Sequence, residues 1–533
     1  MAPAQDPVLR GVKRTSPVHK ILYACPAWWN GCNYQTKPLE KVQRRALRLI
    51  CAAFKTTPTY ALEIEASIPP IKHQANLITR RSAIRINKLP DSNPVLQRLP
   101  DTWRNNQQPK NPPPLPPSPK NQKRPNTVLQ NLAKYTSPKH ERINPFLAPP
   151  WKRTASAFPN RVTVNPCKQD LDSITTKNEH NKLIQSFKTK PDVLYIYTDG
   201  SKIQKPPFYR VGAAAVAFNE NHETSKAQLG LGGHAEVYDA EMAALSLGAS
   251  LAAEFINAHP NTSHIAFFTD NTAATLAISD PKPQAAQLFA AKFHNSITPL
   301  LETHPNLSIS ISWCPSHCGI IGNDRANQLA KEATQLERNT PYSVSRSNAV
   351  RRTKSTTLKL WKQEWEKQPL NGRYAIANRF PPSLRPTPHF QQLKDNRELF
   401  GRLTQCRTGH NYSGEFRESF LPHSQEPTSC PCNNVTRQTR EHILRECTRY
   451  SQHRHILREA SATVSLPTIL GSKEGIQALT LFLKKSGAFT QSGNLKQPTQ
   501  LPKFEDEPEE DTESIYSQPN DDNEPPNNPP DPT

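Results

Sequence analysis

Between residues 191 and 338 the apolar positions fall into blocks of two lengths. VLYIYTDGS, VGAAAVAF and IAFFTDNT are near-continuous apolar runs of strand length. Runs of that kind suit strands covered on both faces. SKAQLGLGG and LSISISW read as two further strands, while VYDAEMAALSLGASLAAEF reads as one long helix. Shorter helical patterns cover 271–279 and 284–301, and a last helix starts near Gly322. The order βββαβααβα predicts an α/β fold: a mixed five-stranded sheet flanked by helices, antiparallel in its first half.

The flanks are patterned differently. Residues 1–98 form a small helical region, in which Val42, Ala46, Leu49, Ile50 and Ala53 recur at helical spacing while Arg44, Arg45 and Arg48 point elsewhere. Residues 99–190 read as a linker: PKNPPPLPPSPKNQKRP is a semi-rigid spacer, and 126–190 is polar with no clear period. A basic tether and helix occupies 339–394, a cysteine-bearing module 395–465, and an acidic tail with the composition of disordered chain 490–533.

Charge sharpens this division. Eleven acidic residues and no Lys or Arg lie between Glu505 and Asp531; without those eleven the net charge of +21 becomes +32. An excess of that size points to a polyanionic partner, with nucleic acid foremost. The ten cysteines lack the density of a secreted disulfide scaffold, and neither a signal-peptide core nor an 18-residue apolar run is present. An intracellular protein is expected, nuclear or cytoplasmic, neither secreted nor membrane-embedded.

Two of the apolar strands end alike, in Thr198-Asp199-Gly200 and Thr269-Asp270-Asn271. Ligands of open α/β sheets bind outside the carboxyl ends of strands. On the long helix, the neighbours of Glu241 at helical spacing are Val237, Tyr238, Ala244, Leu245 and Gly248, so its carboxylate faces inward. A buried carboxylate costs several kcal/mol unless something pairs with it. A strand-end aspartate alone is ordinary turn chemistry. Three carboxylates without a matching cationic motif suggest hard divalent ions, two of which can activate water and stabilise a leaving oxygen of a phosphodiester.

These residues also carry a resemblance. YTDGS, YDAEMAAL, FTDNTAA and PSHCGIIGNDRANQLA resemble, in order and spacing, the four blocks of the type 1 ribonuclease H family across about 150 residues. The resemblance implies hydrolysis of the RNA strand of RNA–DNA hybrids, with Asp199, Glu241 and Asp270 as ligands of two Mg²⁺ (or Mn²⁺) ions. It makes His317 the mobile-loop histidine that assists proton transfer or product release. The family's fourth carboxylate falls on Asn327, which keeps an oxygen but loses the charge; Asp324, three residues earlier, is expected as a cap. Ser201 and Asn271 become candidate contacts to the hybrid's minor groove. Proofreading exonucleases pair Asp and Glu within the first strand, and transposases end on a helical carboxylate; neither pattern is present. A catalytically dead nucleic-acid-binding protein is the rival expectation.

SPVHKILYACPAWWN and the helical stretch after it resemble the end of the reverse transcriptase region of non-long-terminal-repeat retrotransposons, with no Asp-Asp polymerase motif. The 395–465 module resembles the cysteine-histidine module that follows ribonuclease H in such elements. Cys430, Cys432, His442 and Cys447 form C-x-C-x₉-H-x₄-C, three thiolates and an imidazole that make a closed structural zinc set. Cys406 and His410 are weaker candidates. Trp28 and Trp29 read as core or boundary residues, Cys314 as buried beside a strand end and Cys318 as a loop substituent.

Overall fold

The computed structural model describes residues 21–98, 140–145, 151–166, 173–187 and 192–495, except positions 30, 152, 206, 207, 221, 317, 369–371, 378, 379, 422 and 424. The proline-rich spacer, the acidic tail and His317 lie outside the described residues. Among those described, no helix is long and apolar enough to cross a membrane.

The N-terminal helices are α1 (Asn33–Ile50), α2 (Thr59–Glu65) and α3 (Ile71–Asn87). The inward stripe of α1 differs from the expected one: Gln43, Leu47 and Cys51 are buried, whereas Val42 is 49% and Leu49 61% exposed. The reason is a hydrogen-bonded glutamine. Gln43 donates to the Pro69 carbonyl at 2.7 Å and accepts from the Ile71 amide at 2.8 Å, which seats a polar side chain against the start of α3.

The central unit is a six-stranded sheet of β1 (Val162–Asn165), β2 (Val193–Lys205), β3 (Phe208–Asn219), β4 (His222–Gly232), β5 (His264–Thr269) and β6 (Ser308–Trp313), in the order β1-β6-β5-β2-β3-β4. β2, β3 and β4 pair antiparallel; β2, β5, β6 and β1 are parallel. The five strands expected from the sequence are all present. β1 is an additional edge strand drawn from the segment read as linker, and α4 (Ser173–Phe187) comes from that segment too. Both arise from polar sequence whose placement depends on partners elsewhere, a tertiary effect that local pattern does not carry.

Both sheet faces are covered. Leu194 and Ile196 of β2 join one cluster with α5 (Val237–Ala258) and α7 (Gln287–Thr303). Val193 and Tyr197 join another with Phe187 of α4 and with α8 (Ile321–Ala333). A short helix, α6 (Thr272–Ser279), follows β5. Two glycines set the helix-to-sheet distance. A Cβ on Gly200 would lie 2.7 Å from the Glu241 amide nitrogen, and one on Gly322 would lie 2.2 Å from the Tyr197 ring.

The C-terminal part contains α9 (Arg346–Glu366), α10 (Arg397–Thr408), α11 (Arg440–Arg445) and α12 (Lys473–Ser486). Its core runs from Leu47, Cys51 and Leu62 through Tyr374 and Leu403 to Phe482 and Phe489. Ile71 and Ala75 of α3 pack in a separate small cluster, while helices α1 and α2 and the cysteine module share one hydrophobic cluster, which continues beyond 465. Fully buried Glu65 fastens it, taking Arg407 at 2.9 Å, His389 at 3.0 Å and the Tyr374 hydroxyl at 2.8 Å. Helix α9 runs from the sheet domain to α3: Ser347 donates to Asp239 at 3.0 Å near one end, and His73 of α3 meets Glu364 at 2.9 Å near the other.

Candidate functional site

The last residue of β2 paired with β5 is Thr198, opposite Thr269. β2 continues to Lys205 against β3 alone, so Asp199 is its first residue past the parallel neighbour. Asp270 is the first residue after β5. Both carboxylates thus emerge at one carboxyl edge. Glu241 lies in the second turn of α5, whose capping box joins Glu236 and Asp239, and the close approach at Gly200 brings it against β2. One ligand atom from each of Asp199, Glu241 and Asp270 lies within 4.8 Å of the others.

The electrostatics of this cluster are unbalanced. Burial, and then Asp270, push the Asp199 carboxyl up to about 7, with partial relief from the Gly200 amide and Lys331. Burial, then Asp199 and Asp270, raise Glu241 well above the ordinary carboxylate range. Oε2 of Glu241 is buried without a hydrogen-bond partner. An orphaned carboxylate oxygen beside two others is the donor set a hard divalent cation satisfies, since it neutralises charge and fills lone pairs together. Buried Cys314 borders the cluster; its thiol donates to Asn323 Oδ1 at 3.3 Å.

The remaining candidates fall as follows. Asn327 is half-buried on α8, one turn before Lys331. Asp324 is exposed in the first turn of α8 and does not cap it; Ile320 is the N-cap residue, without a side-chain bond. The helix already begins at Ile321, which places Asp324 inside its first turn instead of at the N-cap. Asn271 caps α6, accepting from the Ala274 amide at 3.0 Å through its Oδ1, so its NH₂ group is not used by the cap. Ser201 is half-buried on β2 opposite Gly212. Cys318 is a half-buried loop residue.

A second cluster lies in the C-terminal core. Cys430, Cys432, His442 and Cys447 each offer an atom within 4.8 Å of the rest. Cys430 and Cys447 sulfurs are 3.6 Å apart, and Cys432 Sγ is 3.3 Å from His442 Nε2. A turn builds it: Cys430 donates its amide to the Thr436 carbonyl at 2.6 Å, and Asn434 takes a left-handed φ of 57°. Thr439 caps α11 and fixes the turn that carries His442. Burial, and then Cys430, push the Cys447 thiol up to about 12. The three sulfurs and Nε2 converge as a four-donor soft set. Cys406 and His410 stand apart: Cys406 is buried in the shared core, and His410 Nδ1 meets Thr56 at 2.9 Å.

Sequence reasoning missed Glu65 and its partners. Their separations, 342 residues for Arg407, leave no local signal. Trp29 is buried in a small cluster with Leu22, Cys25, Ile71 and Ala75, as a core residue should be.

Residues 191–335 match the family model described as RNase H. No curated protein matches the chain. Among solved structures it is similar to RNase H1 from the halophilic archaeon Halobacterium salinarum NRC-1, at 19% identity over 27% of this chain and 98% of that one, with a TM-score of 0.21. LC11-RNase H1 in complex with RNA/DNA hybrid is 18% identical over 27% of this chain and 96% of its own, at 0.21. The Prototype Foamy Virus protease–reverse transcriptase is 21% identical over 27% of this chain and 21% of its own, also at 0.21.

Proposed function

We propose that the ribonuclease H domain at residues 191–335 hydrolyses the RNA strand of RNA–DNA hybrids as a Mg²⁺- or Mn²⁺-dependent endonuclease, in a protein derived from a non-long-terminal-repeat retrotransposon. One observation carries the reading: Asp199, Glu241 and Asp270 converge within 4.8 Å, with a buried, unpartnered Glu241 oxygen among them. These three would hold the metal. When bound, a pair of divalent ions supplies an activated water and charge stabilisation at the leaving oxygen. The protein supplies rigidity: Asp199 is fixed by strand pairing on β2, and Glu241 by a helix clamped to it at Gly200. Asn327 would orient a water or phosphate oxygen by hydrogen bonding, and His317 would move a proton near neutral pH. Ser201 and the NH₂ of Asn271 would meet 2′-hydroxyls.

Cleavage of a labelled hybrid by the full chain in Mg²⁺ or Mn²⁺, against an Asp199→Asn control, tests the reading. Absence of wild-type cleavage together with retained hybrid binding would replace it with the second reading, a nucleic-acid-binding protein on an inactive fold. That alternative rests on Asn327, which stands where the family resemblance expects a charge.

The cysteine–histidine cluster would hold a structural zinc ion through Cys430, Cys432, His442 and Cys447. Elemental analysis of the purified full chain tests this. About one zinc per chain is expected, and less than half an equivalent would refute it.

A further inference from the structure

Beyond the carboxylate edge, three chain segments from distant parts of the sequence lie side by side. His140 bridges Val344 in parallel, Ser345 donates its amide to the His234 carbonyl at 2.9 Å, and Arg338 bridges Gly230 while Asn339 donates to it at 2.9 Å. The arrangement gathers His140, His234, Arg338 and the adjoining turn of α9, which carries Arg352. Next to it, Arg210, His234 and Arg338 border a cleft of about 550 Å³ floored by Gly232 and Gly233. There is no room for a side chain at Gly233, where a Cβ would sit 2.5 Å from the Tyr209 carbonyl oxygen.

Positive charge predominates here. The nearby acids are committed elsewhere: Asp91 to Arg142 at 2.9 Å, Glu236 to Lys202 and Arg351, and buried Glu141 to the amides of Ala286 and Arg346. Exposed Glu337 remains at the rim. Arg338 and Arg352 are exposed and have no acidic partner among the described residues. Their field is felt locally: after burial itself, Arg352 and Arg338 hold the His234 imidazole below its ordinary range, and Arg142 and Arg352 do the same to His140.

We infer that this surface, from the Arg210–His234–Arg338 cleft across Arg352 to His140, is a phosphate-backbone track for the duplex flanking the segment held at the carboxylates. The inference rests on the proposed nucleic-acid substrate and says where the chain grips it. The spacing suits a duplex. Asp199 pairs with Ala214, four residues from Arg210 along β3. With ~3.3 Å per residue and one ~4.8 Å strand step, the cleft lies about 15 Å from the carboxylates. Along the duplex axis each strand carries a phosphate every ~3.4 Å, so a track running along that axis meets phosphates about four to five base pairs from the scissile one. Arg210 and His234 belong to the matched residues 191–335, whereas Arg338, Arg352 and His140 lie outside them.

The test is fluorescence anisotropy of the full chain with a labelled 18-base-pair RNA–DNA hybrid in Ca²⁺, over a salt series. Arg338→Glu with Arg352→Glu is expected to weaken binding ten- to hundred-fold. It should also flatten the slope of log affinity against log salt by about 1.8, near 0.9 for each phosphate no longer neutralised. A control with the same net charge change, Lys484→Glu with Lys485→Glu at the end of α12, should shift affinity less than about two-fold. The neutral pair Arg338→Gln with Arg352→Gln guards against misfolding and should flatten the slope by the same amount. Equal weakening by track and control reversals, or an unchanged slope in both track variants, would overturn the track. Cleavage is a separate readout: a wild type that binds but does not cut sinks the catalytic reading while leaving the slope comparison valid.

Discussion

The two donor clusters are built on opposite principles. The sheet cluster takes three hard oxygen ligands from β2, α5 and the end of β5, at residues 199, 241 and 270, and leaves a buried oxygen unpartnered. The C-terminal cluster takes four softer ligands from the single stretch 430–447, all turned toward one another. An open, charge-rich oxygen set suits ions that must also touch a substrate, whereas a closed thiolate–imidazole set suits an ion that holds a fold together. The chain thus separates candidate chemistry from candidate stapling, and places each in its own hydrophobic core.

The largest expected effect probes the staple. Zinc bound by such sets contributes on the order of 10 kcal/mol to folding. Cys447→Ser, or a strong chelator, should therefore release the metal and unfold the core that joins α1, α2, α10 and α12, while the sheet domain persists. Two separate thermal transitions by calorimetry, with only one of them shifted, would bear out the division. A single transition shifted as a whole would break it.

Next comes the buried ion cluster around Glu65. Arg407 above all, with His389, holds this carboxyl well below its ordinary range in spite of complete burial. Because its folded pKa is depressed, its stabilisation is fully present above the ordinary carboxylate range and is lost as pH falls below about 4. Glu65→Ala strands the Arg407 charge and should cost about 3–5 kcal/mol, with the acid sensitivity of the same transition reduced. Equilibrium unfolding at pH 7 and near pH 3 measures both. An Ala variant of wild-type stability would mean that Glu65 is not a keystone of that core.

The contrast with Glu241 also explains which parts were legible. Asp199, Asp270 and Glu241 stand out because each breaks an apolar pattern at a position with a geometric meaning, and the structure brings all three together. The five central strands and the antiparallel first half of the sheet follow from the same runs, whereas the placing of β5 beside β2 does not. Residues 162–165 and 173–187 carry no such pattern, since an edge strand and a one-sided helix need few apolar residues. The burial of Gln43 escapes the helical pattern because it depends on two hydrogen bonds to a loop 26 and 28 residues away. The shared N- and C-terminal core is invisible for the same reason on a larger scale. Glu65 finds Tyr374 309 residues away and Arg407 342 residues away, and no local spacing encodes such pairs.

A smaller effect separates charge from fold at the sheet cluster. Asp199→Asn is expected to lower hybrid cleavage at least ~100-fold, beyond the 10–100-fold typical of losing a residue that only orients a metal ligand. Metal-free stability should hold or rise, because the substitution relieves repulsion with Asp270 and Glu241. A variant that lost activity and unfolded together would show Asp199 to be structural instead.

The smallest effect asks how many charges the site needs. Asn327 is half-buried on α8 with Lys331 one turn beyond, and Lys331 already draws the Asp199 carboxyl downward. The α8 side of the cluster is therefore less negative than a four-carboxylate site would be, and would hold a divalent ion less tightly. Asn327→Asp restores one charge, and about a tenfold rise in cleavage at limiting Mg²⁺ is expected, close to 1.4 kcal/mol. The rise should shrink at saturating Mg²⁺, because the added carboxylate acts on metal occupancy. A gain that persists at saturation would instead give residue 327 a part in the chemical step. No gain at any concentration would mean that Asp199, Glu241 and Asp270 suffice.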